Sequence, residues 1–174
     1  MANEPKRHPL IAVDTNVLID LAQEEETAWE CLDALASRRP TPRVIITPTV
    51  IEEIMCMTLT GETAEKRSAA SKAVRSLLKW GIHPLNLLPV GHGIVERIGD
   101  DIRRHGLIPE DERHDSFIVA EAALCEADIL VSADAHLYGI DHQRLHVLLS
   151  GFDVKPIIIT WPRRVARLLG GSRV

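Results

Sequence analysis

The run Ile11-Ala12-Val13-Asp14-Thr15-Asn16-Val17-Leu18-Ile19 carries an apolar strand straight into an acid and then into an apolar helix. Open parallel sheets bind ligands beyond the carboxyl ends of their strands, above all where the strand order reverses. Asp14 lies at such an end, although a helix cap is the plain alternative there. Ala127-Asp128-Ile129-Leu130-Val131-Ser132-Ala133-Asp134 repeats the device, with Asp134 just past the strand and Ser132 beside it. Asp128, at the other end of that strand, reads as a turn residue, and Asp134 is open to the same capping reading as Asp14. Two more acids ride on helices. In Ile46-Thr47-Pro48-Thr49-Val50-Ile51-Glu52-Glu53-Ile54, Thr47 is placed to cap the helix and Pro48 to open it. At about 100° per residue, Val50, Ile51, Ile54 and Met57 form the buried stripe; Glu52 then faces solvent, while Glu53 flanks the stripe and can reach inward. In the helix that follows Asp111, Asp115 shares the core-facing side with Ile118, Val119 and Ala122. A carboxylate there is costly unless it meets a cation or hydrogen-bond donors, so Asp115 is read as functional and Asp111 as the cap.

Each acid alone has an ordinary explanation, a cap or a solvated face, but the four together share a chemistry. Clustered carboxylates repel one another, and a divalent cation relieves that cost. Magnesium takes a few carboxylate oxygens, keeps several waters and leaves positions for a substrate phosphate. Such an ion positions and activates water and stabilises charge growing on phosphorus. Other signals are weaker. Lys72, Arg75 and Lys79 share a helical face near Lys66 and Arg67, a stripe that could track a polyanion backbone but that a solvated face explains better. His142 and His146 have chelating i, i+4 spacing without a third ligand, so surface or packing histidines are expected. Gly91-His92-Gly93 is not a dinucleotide loop, because Gly99 is misplaced for the fingerprint. His114 stands next to Asp115, yet a metal-activated water does not require it as a base.

The elements that must position these acids alternate. Strands are expected at Leu10 to Val13, Arg43 to Thr47, Asp128 to Ser132 and Lys155 to Thr160. A weaker strand at Ile82 to Val90, interrupted by Pro84 and Pro89, suits an edge. Helices are expected at Asn16 to Gln23, Thr27 to Ser37, Pro48 to Leu59, Thr63 to Trp80, Ile94 to Arg104, Asp111 to Glu126, Gln143 to Leu149 and Pro162 to Leu169, with Gly61 as a break and Gly81 as a stop. Near-continuous apolar strands alternating with helices predict a parallel sheet covered on both faces.

The chain of 174 residues is long enough for one domain with its own core. That domain is expected to span residues 1–174, with 1–8 as a flexible tail. No apolar run approaches the roughly 20 residues of a membrane helix and the N-terminus lacks a signal-peptide stretch, so a cytosolic protein is expected. Cys31, Cys56 and Cys125 are odd in number and scattered, which predicts buried thiols and excludes a zinc cage or disulfide framework. The formal charge of −5 argues against gripping nucleic acid by bulk electrostatics, but not against brief contact through a local basic patch.

Taken in order, these segments resemble the PIN-domain family, and its VapC-type toxin ribonucleases most of all. The resemblance rests on Val13-Asp14-Thr15-Asn16, the Thr47 to Ile54 stretch, Asp115-Ser116-Phe117-Ile118-Val119-Ala120-Glu121-Ala122, Leu130-Val131-Ser132-Ala133-Asp134, and the closing Ile157-Ile158-Ile159-Thr160-Trp161-Pro162. It implies a three-layer α/β/α sandwich with a five-stranded parallel sheet in which the first and fourth strands are neighbours, bringing Asp14 and Asp134 together. It further implies that Asp14, Glu53 and Asp115 are core ligands of magnesium or manganese, that Asp134 completes or tunes the site, and that Thr15, Asn16 and Ser132 hydrogen-bond the carboxylates, waters or a phosphate. RNA is then the substrate, with an antitoxin protein and a second copy of the chain as candidate partners. Relative to typical VapC toxins the chain is longer around Gly61 to Trp80 and Tyr138 to Val154. Three functions compete: a metal-dependent endoribonuclease, a non-catalytic PIN-like module that binds nucleic acid or protein, and a phosphohydrolase of small molecules.

Overall fold

In the computed structural model, which describes residues 7–87 and 89–170, five short strands form one parallel sheet. They are β1 (Leu10–Val13), β2 (Arg43–Ile46), β3 (Ile82–Pro84), β4 (Ile129–Val131) and β5 (Ile158–Thr160), in the order β3-β2-β1-β4-β5. Ile11 lies opposite Val44 on one side and Ile129 on the other. The chain walks from β1 outward to β3, crosses to β4 on the far side of β1, and walks outward again to β5. Right-handed crossovers place the outward and return connections on opposite faces, which makes three layers. The strand order reverses between β1 and β4, so the switch point lies above their carboxyl ends.

The helices are α1 (Thr15–Ala22), α2 (Glu26–Ala36), α3 (Pro48–Thr60), α4 (Ala64–Ser76), α5 (Pro89–Arg104), α6 (Arg113–Leu124), α7 (Ala135–Tyr138), α8 (His142–Ser150) and α9 (Pro162–Gly170). Helix α4 packs on α1 and α3, α9 on α2, and α5 on both α6 and α8. The core joins Ile11, Ala12, Ile45, Ile46, Leu130 and Val131 of the sheet to Leu18, Leu21, Ile54, Ile98, Ile102 and Ile118 of the helices. No helix among the described residues is long and apolar enough to cross a membrane.

Several boundaries differ from expectation for physical reasons. β5 starts at Ile158 instead of Lys155, since Pro156 has no N–H for the ladder. β3 is an edge strand, as Pro84 predicts, but it ends at that residue instead of reaching Val90, and Pro89 opens α5. Helix α4 stops at Ser76, and the chain turns through residues 77–81 to Gly81, whose φ is +73°, a conformation glycine adopts without strain. The single turn of α7 was not foreseen, because four residues are too few to show a period. Asp111 is not the cap of α6: that position belongs to Glu112, whose side chain makes no capping bond. Asp128 does more than turn, for its carboxylate accepts from the Leu10 N–H at 2.8 Å and pairs with Lys155. Of the cysteines, Cys31 is buried and Cys125 half-buried, but Cys56 is exposed on α3, which corrects the buried reading. The expected tail at 1–8 falls mostly outside the described residues, yet Arg7 pairs with Glu126 and His8 bonds the Thr41 carbonyl.

Candidate metal centre

Asp14 ends β1, and its N–H still belongs to the sheet, donating to the Val131 carbonyl at 3.0 Å. Its carboxylate is turned under the start of α1 and is only 3% exposed. Oδ1 accepts from the Thr15 N–H at 2.6 Å and Oδ2 from the Ser132 hydroxyl at 2.7 Å. Asp14 is therefore both a cap and a member of the cluster, so the two readings of it do not exclude each other. Burial pushes its pKa up to about 6; the Ser132 and Thr15 hydrogen bonds oppose this, while Glu53 and Asp134 add to it.

Beyond β4 the same economy of bonds fixes the second acid. The Ser132 hydroxyl that donates to Asp14 also accepts from the Asp134 N–H at 2.9 Å, and Asp134 Oδ1 caps α7 through the His136 N–H at 2.7 Å. Asn16 Oδ1 accepts from the Ala133 N–H at 3.0 Å, tying the start of α1 to the loop after β4. Asn16 and Ser132 thus hold the two strand ends together, while Thr15 ties Asp14 to Glu53 of α3.

Glu53 approaches from α3. Its Oε2 accepts from the Thr15 hydroxyl, and its Oε1 lies 3.1 Å from His114 Nδ1. Glu53 is half-buried while Glu52 is exposed, as the helical phase predicts. Asp115 comes from the first turn of α6, half-buried and with no hydrogen-bond partner among the described residues. Burial raises its pKa to about 7, followed by repulsion from Asp14, Asp134, Glu112 and Glu53. The four acids from four elements therefore share one electrostatic neighbourhood.

Sequence reasoning missed Glu121. It is 3% exposed, and its carboxylate accepts from the Thr49 N–H at 3.0 Å and the Thr49 hydroxyl at 2.8 Å. An acid on α6 thereby caps α3, the task assigned to Thr47, whose own hydroxyl is buried without a partner among the described residues. The available signal was a lone acid in the apolar run Phe117 to Leu124, where charge demands a buried donor. The weaker signals settle as expected. Lys72 pairs with Glu24 and Lys66 with Glu62 at the surface, and His142 Nε2 packs against the Ile159 backbone at 3.0–3.1 Å.

The four acids offer only hard oxygen donors, which suits magnesium or manganese. Each carboxylate oxygen has two acceptor sites, so Asp14 keeps capacity beyond its two hydrogen bonds, and Asp115 keeps all of it. Among the described residues, no three His, Cys, Asp or Glu side chains are gathered as closely as a closed metal cage, with Glu53 drawn toward Thr15 and His114. The donor chemistry and charge fit a hard divalent ion; the arrangement is open.

The model of the PIN domain matches residues 11–143, most of the chain and all four acids. The chain belongs to the PIN-domain family. No curated protein sequence matches it. Its backbone is similar to solved structures of VapBC2 from Rickettsia felis bound to a promoter DNA fragment (TM-score 0.58, 14% identity, covering 87% of this chain and 98% of the other). It is similar as well to VapBC-1 from nontypeable Haemophilus influenzae (0.55, 12%, 88% and 98%) and to FitAcB from Neisseria gonorrhoeae (0.53, 18%, 87% and 97%). At such identities the likeness is one of PIN fold.

Proposed function

We propose that this PIN-domain chain, taken as one unit over residues 1–174, is a metal-dependent endoribonuclease that hydrolyses RNA phosphodiester bonds. The observation that carries the reading is Asp115: a half-buried carboxylate without a hydrogen-bond donor among the described residues, in the field of Asp14, Asp134, Glu112 and Glu53 near the sheet's switch point. Asp14, Glu53 and Asp115 would hold Mg2+ or Mn2+, with Asp134 completing or tuning the set. When bound, the ion supplies water activation and charge stabilisation at phosphorus. The residues do the positioning. Thr15 and Ser132 fix both oxygens of Asp14, the Thr15 hydroxyl and His114 orient Glu53, and Asn16 locks the loop that carries Asp134. Such preorganisation avoids reorganisation during reaction.

The similarity to VapBC and FitAcB assemblies supports a toxin of a toxin–antitoxin pair, working in the cytosol and restrained by an antitoxin protein. A second reading, a non-catalytic PIN-like binding module, is favoured by the open arrangement of the acids. One experiment separates the two: cleavage of single-stranded RNA with Mn2+ by wild type and by Asp14→Asn. Cleavage by the wild type that Asp14→Asn abolishes, with its circular dichroism unchanged, supports the nuclease. Undiminished cleavage by the folded variant removes Asp14 from the mechanism, and an inert wild type selects the binding module.

A further inference from the structure

A cavity of about 440 Å³ opens beside the site, its wall including Ala133, the neighbour of Asp134. Its volume is within the range of roughly 300–1,000 Å³ typical of small-molecule sites. Two kinds of side chain line it. Tyr138 and Trp161 form an aromatic pair with ring centroids 5.1 Å apart and planes tilted by 54°. Opposite in character are Asp20 and Glu25, with Arg163 also in the wall. Asp20 is half-buried, its carboxylate has no hydrogen-bond partner among the described residues, and burial followed by the nearby Glu25 raises its pKa. A pair of N–H donors would relieve that cost.

Unstacked RNA bases are recognised by aromatic faces and by hydrogen bonds to their Watson–Crick edges. Guanine alone presents two adjacent donors, N1–H and N2–H, that match both oxygens of a carboxylate. Adenine and cytosine set one donor beside a repelling acceptor, and uracil sets one donor between two acceptors. Arg163 also lines a second cavity of about 710 Å³ that contains Arg38, Arg39 and Arg167 as well as Glu30 and Asp33. The arginines there can meet phosphates next to the base, so a chain of net charge −5 still offers a local basic path.

We propose that the cavity beside Ala133 is a nucleobase subsite that takes one unstacked guanine of single-stranded RNA against Tyr138 and Trp161, its two Watson–Crick donors held by the two oxygens of Asp20. The RNA part rests on the ribonuclease reading; the base preference does not. The first test is tryptophan fluorescence of metal-free protein titrated with the four nucleoside 5′-monophosphates, whose common phosphate cancels in the comparison. GMP binds about tenfold more tightly than the others, the discrimination of one bidentate contact, and Asp20→Asn removes the difference. Trp161→Phe keeps an aromatic face but loses the quenching, which assigns the signal to this cavity instead of to Trp29 or Trp80. In the second test, Asp14→Asn protein binds short single-stranded RNAs with and without one guanine, followed by anisotropy. The guanine gains about tenfold, and adding Asp20→Asn abolishes the gain. Equal affinities for the four nucleotides, or a preference that survives Asp20→Asn, overturns the subsite. A preference for GMP without any gain in RNA overturns the RNA assignment in favour of a free-nucleotide site. A wild type that cleaves no RNA would defeat the ribonuclease reading while leaving the mononucleotide result intact.

Discussion

Asp14 and Asp115 hold protons tightly for different reasons. Asp14 is deeper but is supported by two donors, and its pKa reaches about 6; Asp115 is shallower but unsupported, and its pKa reaches about 7. Both lie above the value of 3.8 for an unperturbed aspartate, so between about pH 4 and pH 7 the folded chain binds protons that the unfolded chain releases. Their contribution to stability is therefore complete at low pH and is lost as pH rises through that window. Urea unfolding of metal-free wild type and Asp115→Asn checks this: the variant should gain on the wild type between about pH 4 and pH 7 and keep a constant lead above that. A difference that does not change with pH would show that Asp115 is not perturbed. Because metal ligands must shed their protons, manganese affinity should climb over the same window and level off above it. Glu53→Gln should weaken manganese binding and slow cleavage, whereas Glu52→Gln should change neither, since Glu52 faces solvent. A larger loss from the Glu52 change would place the wrong face of α3 toward the site.

Helix α3 depends on α6 for its beginning. Glu121 supplies the oxygens for the Thr49 N–H and hydroxyl, and removing a charged acceptor from buried donors costs about 1.5–3 kcal/mol. Glu121→Ala should lower urea stability by about that amount and should weaken manganese binding too, because α3 carries Glu53. A loss of stability with unchanged manganese affinity would mean that α3 keeps its place without this bond. Helices α5 and α6 meet over Gly99, where an added Cβ would sit 2.5 Å from Phe117 Cδ1. Gly99→Ala should therefore destabilise by about 1–3 kcal/mol, although alanine normally favours a helix; a gain in melting temperature would show that Phe117 yields freely. Local pattern made α3 legible from the residues, including its proline start and the phases of Glu52 and Glu53. It could not reveal who caps it, because the partner of Thr49 lies 72 residues away and belongs to another helix. Asp111 was misread for the converse reason: proximity in sequence to a helix start does not ensure a bond to it.

The parallel sheet, its alternation with helices and the acids at strand ends were all readable from apolar runs and their terminators. The closeness of β1 to β4 came only through the family resemblance, because a switch in strand order leaves no mark in periodicity. The tying of Glu53 to Thr15 and His114 and the open spacing of the acids needed coordinates. If the four acids converge on one ion, manganese binds the folded form alone and stabilises it by roughly 2.7 kcal/mol at a hundredfold excess over its Kd. Differential scanning fluorimetry should show a clear rise in Tm for the wild type and a much smaller one for Asp14→Asn; equal rises would mean that the acids do not share a metal. The bond from Ser132 to Asp14 spans 118 positions of the chain, and this separation has a temporal meaning. A ribosome adds Ser132 only 118 positions after Asp14, with synthesis running at roughly 5–20 residues per second. For those seconds the growing polypeptide carries Asp14 without its Ser132 donor, so the full set of bonds around this acid is completed only late in synthesis.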